Sequence, residues 1–359
     1  MDDPFMPSAP RKRYTLDFRT DATSGKKTKS AYGSNISGLA AVGHTLFCAS
    51  DEETSVERLD FNERSETFLE HRSYPLAGLF DNLPSDNKEA DIEGLAIDDG
   101  YLWITGSHSL KRSVDDTAQS LDEFKKPKWD KKRALLGRVP IAFDKDEKPT
   151  LVKLDGERHS AMIDIGATED DGLRGLLKGD KLLKDFIDLP SKENGLDVEG
   201  IAVSNGTVVL GLRGPVLASF AFLVVLSLTD KGDGVLVPQS VNRKLYRLQA
   251  IHLDGLGIRD LLFKGSSLLV LAGPTQKNES FQRVYIVDDF FSSGEVISPA
   301  DRRLLMTLPM AGRGDHAEGI TFYTEKSRMR LLVAYDTPST ERWDEATDRL
   351  IVDAFNLPE

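Results

Sequence analysis

Short apolar runs alternate with polar turns along the whole chain, and five stretches share one pattern. They read NISGLAAVGHTLFCASDE from Asn35, DIEGLAIDDGYLWITGSHS from Asp91 and DVEGIAVSNGTVVLGLRGP from Asp197. The other two are GIRDLLFKGSSLLVLAGPT from Gly257 and HAEGITFYTEKSRMRLLVAYDTP from His316. Each holds two apolar strands about a Gly, Asn or charged turn and closes on polar residues, which predicts a β-hairpin. Four of the hairpins are followed by two more candidate strands: SVERLDF with ETFLEHRSY, LLGRVPIAF with TLVKLDG, SFAFLVVLSL with KLYRLQAIHLDG, and RVYIVDDF with RRLLMTLP. The last is followed by RLIVDAFNL alone, and a lone strand over residues 13–18 precedes the first. Lending that lone strand to the last unit closes a ring and removes open sheet edges.

A unit of four strands repeated in this way predicts an all-β fold, a single β-propeller of about five four-stranded blades over residues 13–359. Residues 1–12 are expected to be flexible. Between the second and third hairpins lie about fifty residues more than elsewhere, room for a sixth blade at ~40–50 residues each. Six blades are therefore the alternative. Residues 156–196 instead suggest a helical insertion, since Leu173, Leu176, Leu177, Leu182, Leu183, Phe186 and Ile187 keep a helical spacing broken at Gly179. A second insertion, near residues 110–134, reads as helical or irregular. The longest apolar run, residues 216–228, falls short of the ~18–20 residues of a membrane span. It reads as a buried strand pair or a wide inner strand.

Composition narrows the function. A net charge of −12 and a pI near 5.1 argue against a nucleic-acid binder. The basic run at residues 125–133, with Trp129 inside it, is the local exception; it reads as a solvated insertion, with docking of an acidic partner or nucleic acid as the alternative. The one cysteine, Cys48, excludes an internal disulfide and sits in an apolar run as a core residue would. The N-terminus lacks an apolar signal core, and a cytoplasmic location with no membrane contact is expected. No P-loop, dinucleotide fingerprint or H-E-x-x-H occurs. Residues 144–155 resemble a calcium loop, but Lys stands at its glycine position, and the segment reads as a hairpin.

The phrases DIEGLA, GLDVEGIAV followed by GLRGPV, and GIRDLLF followed by LAGP resemble a bacterial propeller family of unknown function. The likeness runs from about Asn35 to the C-terminus and implies the fold without an activity. More distantly, D-x-E-G resembles repeats of esterase-like phytase and gluconolactonase-type propellers. That resemblance implies that the Glu can ligate calcium near the channel.

Propeller geometry places the start of each inner strand and the end of its return strand at one mouth of the channel. The predicted ring is Ser37 with Asp51 and Glu52; Asp91 and Glu93 with Ser107 and His108; Asp197 and Glu199 with Arg213. Arg259 and Asp260 with Pro274 and Thr275, then His316 and Glu318 with Asp336, complete it. Glu93, Glu199 and Glu318 each precede a glycine, and Arg259 takes the same place in the fourth unit. Converging carboxylates repel one another unless a positive charge sits among them. Either Arg213 and Arg259 neutralise them, or a divalent cation such as calcium does, held by Glu93, Glu199 and Glu318. Arginines reading a small anionic ligand are a third arrangement.

The expected function is a binding module in which Glu93, Glu199, Arg213, Arg259, Glu318 and Asp336 hold a ligand or protein partner. The rival is a metal-dependent hydrolase of phosphate or carboxylic esters, the three glutamates holding the metal and His108 or His316 moving protons.

Overall fold

A computed structural model describes residues 5–19, 32–84, 89–112, 114, 118–124, 126–276, 280–310 and 315–357. Each predicted hairpin is an antiparallel pair: Ile36–Val42 with Thr45–Ser50, Ile92–Asp98 with Tyr101–Gly106, and Asp197–Ser204 with Thr207–Gly214. Gly257–Lys264 with Ser267–Gly273 and His316–Glu325 with Arg328–Asp336 complete the set. The first strand of each hairpin is an inner strand. These pack in chain order, and the last packs back on the first, so the described inner strands close a ring. The protein is a β-propeller.

Glycine sets how close the inner strands come. A Cβ on Gly94 would lie 3.0 Å from the Glu199 carbonyl oxygen, and one on Gly200 3.0 Å from the Asp260 backbone. A Cβ on Gly38 or Gly319 would come nearly as close, 3.2 Å from the Leu95 and Leu39 backbone nitrogens respectively. In the fourth unit the glycine is replaced by Asp260, fully buried, whose carboxylate accepts hydrogen bonds from the amides of Leu261 (2.8 Å) and Ile320 (2.7 Å). A side-chain bridge thus links the fourth inner strand to the fifth where backbone contact links the others.

Apolar side chains fill the wedges between neighbouring blades. Phe47, Leu95 and Leu102 join the first to the second, and Trp103, Ile201 and Leu210 the second to the third. The N-terminal strand, Lys12–Asp17, pairs antiparallel with Arg349–Phe355 and parallel with the outer strand Thr67–Pro75. It therefore completes the last blade and zips it to the first. Just before it, residues 5–11 are tied down in part: the amides of Ser8 and Arg11 donate to the carbonyls of Thr307 and Ala354.

Three local expectations are corrected. Residues 216–228 are neither a strand pair nor an inner strand; Phe220–Asp230 is the third strand of its blade, apolar because both faces are covered. TLVKLDG is not one blade strand: its start lies in Pro149–Leu151, its end forms Leu154–Asp155 in a separate pair with Arg158–His159, and Ala161–Ile163 covers the rest of the blade edge. The helical insertion is helical only in part: one short α-helix, Gly172–Lys178, stops at Gly179, and a single 3-10 turn, Ser191–Glu193, follows; Leu183 and Ile187 still reach the core from the turns between them.

Candidate functional site

Each of the five described inner strands slips register at the same place. The shifts fall at Ile36/Gly38, Ile92/Gly94, Val198/Gly200, Ile258/Asp260 and Ala317/Gly319. The skipped residues are Ser37, Glu93, Glu199, Arg259 and Glu318. An extra residue in one strand bends it and re-aims a side chain. Five aligned bulges therefore make a polar ring at one end of the channel.

A cavity of about 400 Å³ opens over this ring. Glu93, Glu199, Arg259 and Glu318 line it from the bulges, and Arg213, Asp336 and His316 from neighbouring strand ends. Asp51, Asp91, Asp197, Pro274 and Thr275 also face it, as the strand geometry predicts. Ser37 does not: its hydroxyl is buried and donates to the carbonyls of Ala49 and Ile92. Glu52, Ser107 and Asp260 are likewise outside the lining.

Guanidinium groups thread the carboxylates together. Arg213 bonds Asp197 at 2.5 Å and Glu199 at 2.6 Å. Arg259 reaches the other Glu199 oxygen at 2.9 Å and pairs with Glu318. Glu199 is thus held between two arginines, and the third, fourth and fifth blades share one ionic chain. Burial still pushes the Glu199 carboxyl upward, against the pull of Arg213 and Arg259. Glu93 has no hydrogen bond or ion pair among the described residues. Burial, then the charges of Glu199 and Asp91, hold its carboxyl well above the ordinary range. Burial and neighbouring Asp336 push Asp51 up to about 8. The half-buried His316 is lowered by burial and by Arg259, which favours its neutral form.

His108 is not at the mouth. The chain turns there with φ of 52°, and the imidazole is fully buried without a well-formed hydrogen bond on either nitrogen. Burial, then Arg174, lowers it to about 3. The strand before it ends against the insertion: a Cβ on Gly106 would lie 2.6 Å from the Arg133 carbonyl oxygen.

The basic run is also more than a solvated face. Lys125 lies outside the described residues, but Arg133 is buried, lines the cavity and bonds Asp91 at 2.5 Å. Sequence reasoning missed it by considering only inner-strand starts and return-strand ends. The start of a third strand lies at the same mouth, and Arg133 stands just before Leu136–Phe143. The helical insertion supplies Ser191 and Lys192 to the wall. Arg174 fixes that insertion, donating to the carbonyls of Glu169, His108 and Ile187.

Among the described residues, no three His, Cys, Asp or Glu side chains converge as metal ligands. Glu93, Glu199 and Glu318 share the cavity, but two of them are engaged by arginine.

A family sequence model matches residues 35–353, from just before the first bulge to the final strand. The chain belongs to that family, described as "Protein of unknown function (DUF3616)". All the site residues of this DUF3616 chain fall inside the match. No curated protein matches it. Among solved structures it is similar to a Myxococcus xanthus glutaminyl cyclase, at 9% identity and a TM-score of 0.40, over 98% of this chain and 100% of that one. It is also similar to a PQQ-bound aldose sugar dehydrogenase from Streptomyces coelicolor, at 14% identity and a TM-score of 0.36, over 96% and 100%. The WD40 β-propeller domain of Doa1 is similar at 9% identity and a TM-score of 0.33, over 90% and 94%. Likenesses this distant carry no functional argument. No helix among the described residues is long and apolar enough to cross a membrane.

Proposed function

We propose that this protein is a binding module that holds a ligand, or a projecting group of a protein partner, at the charged mouth of its channel. One observation carries the reading: a cavity of about 400 Å³ lined by four bulged polar side chains, three of which, Glu199, Arg259 and Glu318, are held by ion pairs. Such a volume suits a small molecule, and convergent polar groups held before binding lower its entropic cost. The metal-dependent hydrolase is the weaker reading. A cation on Glu199 and Glu318 would have to displace guanidinium groups already seated there. Of the two histidines, only His316 reaches the cavity.

Native mass spectrometry of the purified protein, exposed to a defined mixture of small polar metabolites, tests the reading. The wild type and Lys264→Ala, at the far end of an inner strand, should retain the same compound. The Glu93→Gln/Asp336→Asn double variant should lose it. Retention by that variant, or none by the wild type, contradicts the proposal.

A further inference from the structure

Acidic groups outnumber basic ones in the cavity. Its lining carries seven carboxylates against four cationic side chains, Arg133, Lys192, Arg213 and Arg259. The three arginines are committed to Asp91, Asp197, Glu199 and Glu318. Asp51, Glu93 and Asp336 make no close ion pair among the described residues, and Arg133 and Arg213 act on Glu93 only from farther off. They come from the first, second and fifth blades, so three acids without an ion pair gather on one side of the mouth, where a cation would draw off the protons that Asp51 and Glu93 hold in its absence. A second sign points the same way. Asp91 is only 6% exposed, and its Oδ2 is buried in the cavity wall with no hydrogen-bond donor, although its Oδ1 is paired with Arg133. A buried carboxylate oxygen left without a donor is costly unless a ligand supplies one.

Resting on the binding reading above, we infer that the ligand presents a cationic nitrogen group, an ammonium or a guanidinium, to Glu93, Asp51 and Asp336. Such a group carries several N–H donors and meets carboxylates through charge-assisted hydrogen bonds. An anionic ligand would find each arginine already engaged and three carboxylates facing it. A bare metal ion would need carboxylates converging on one point, whereas these stand around a cavity. The cationic group can belong to a free amine or to a Lys or Arg side chain of a partner, and the recognition chemistry is the same.

Isothermal titration calorimetry on the full chain separates the possibilities. The probes are agmatine, a Gly-Arg-Gly amide peptide, inorganic phosphate and calcium chloride. Binding of agmatine or the peptide is expected, weakened at least about 10-fold by Glu93→Gln and by Asp336→Asn, and unchanged by Lys264→Ala. Saturation by agmatine alone identifies a free amine, and by the peptide alone a partner side chain. Both variants replace an unpaired acid with its near-isosteric amide, and melting curves check that each is folded. Phosphate or calcium binding lost in Glu93→Gln would overturn the cationic ligand while leaving the mouth as the site. Failure of both nitrogen probes at millimolar concentration would also overturn it. The mouth itself is judged separately by the metabolite retention experiment.

Discussion

Glu93 and Glu199 occupy equivalent bulges in neighbouring blades, yet their surroundings differ. Glu199 lies between two guanidinium groups that it pairs with, whereas Glu93 pairs with none and is influenced by Arg133 and Arg213 only from farther off. Asp51 likewise pairs with none among the described residues, and its ionisation makes the site sensitive to pH. In the unfolded chain an Asp ionises near its ordinary value of 3.8; in the fold Asp51 does so near 8. Between those values the native state holds a proton that the unfolded chain has released, so stability falls as pH rises and levels off above 8. Glu93, also shifted upward, adds to the same slope. His108 acts in the opposite sense, because its imidazole is held near 3 and the unfolded chain gains a proton below about 6.5. That contribution fades over the pH unit above 6.5, where the Asp51 slope exceeds it. The ligand-free protein should therefore have a lower thermal midpoint at pH 8 than at pH 6.5, and Asp51→Asn should flatten the difference. A midpoint that rises across this window would show that these carboxyls are not held protonated.

At the scale of elements, the inner hairpins were legible because strand, turn and strand recur with the same polar ends. The bulges were not. Nothing local in Val198-Glu199-Gly200 distinguishes a bulge from regular alternation; the neighbouring inner strand, pressed against Gly200, decides it. Arg133 was hidden in a charge run that resembles any solvated loop, and His108 was misplaced because the packing of the insertion against Gly106 cannot be read from either segment alone. The N-terminal strand was legible from what the last blade lacked. Tyr14, Leu16 and Phe18 are essentially inaccessible to solvent. Burying a large apolar side chain contributes about 1.5–3 kcal/mol, so removing three is comparable with the ~5–15 kcal/mol that holds a domain together. Arg13 and Lys12 add ion pairs to Asp353 and Glu325. A chain lacking its first twenty residues should melt far below the intact protein or fail to fold. An unchanged midpoint would mean that the strand does not close the ring.

Across the whole molecule, the circular repeat converts five ordinary strand starts into one polar chamber. Repulsion among its carboxylates must be answered, and on this account Arg213 and Arg259 answer it from within the chain. Removing one partner of a buried ion pair leaves an uncompensated charge, at a cost of about 3–5 kcal/mol. A resident metal would instead stabilise the fold by mass action and be stripped by a chelator. The most direct test is the thermal midpoint of the wild type, with and without EDTA and with added calcium, beside that of Arg259→Met. The account predicts no shift with chelator or calcium and a large fall for Arg259→Met. A midpoint that drops in EDTA and recovers with calcium, while Arg259→Met melts like the wild type, would contradict it.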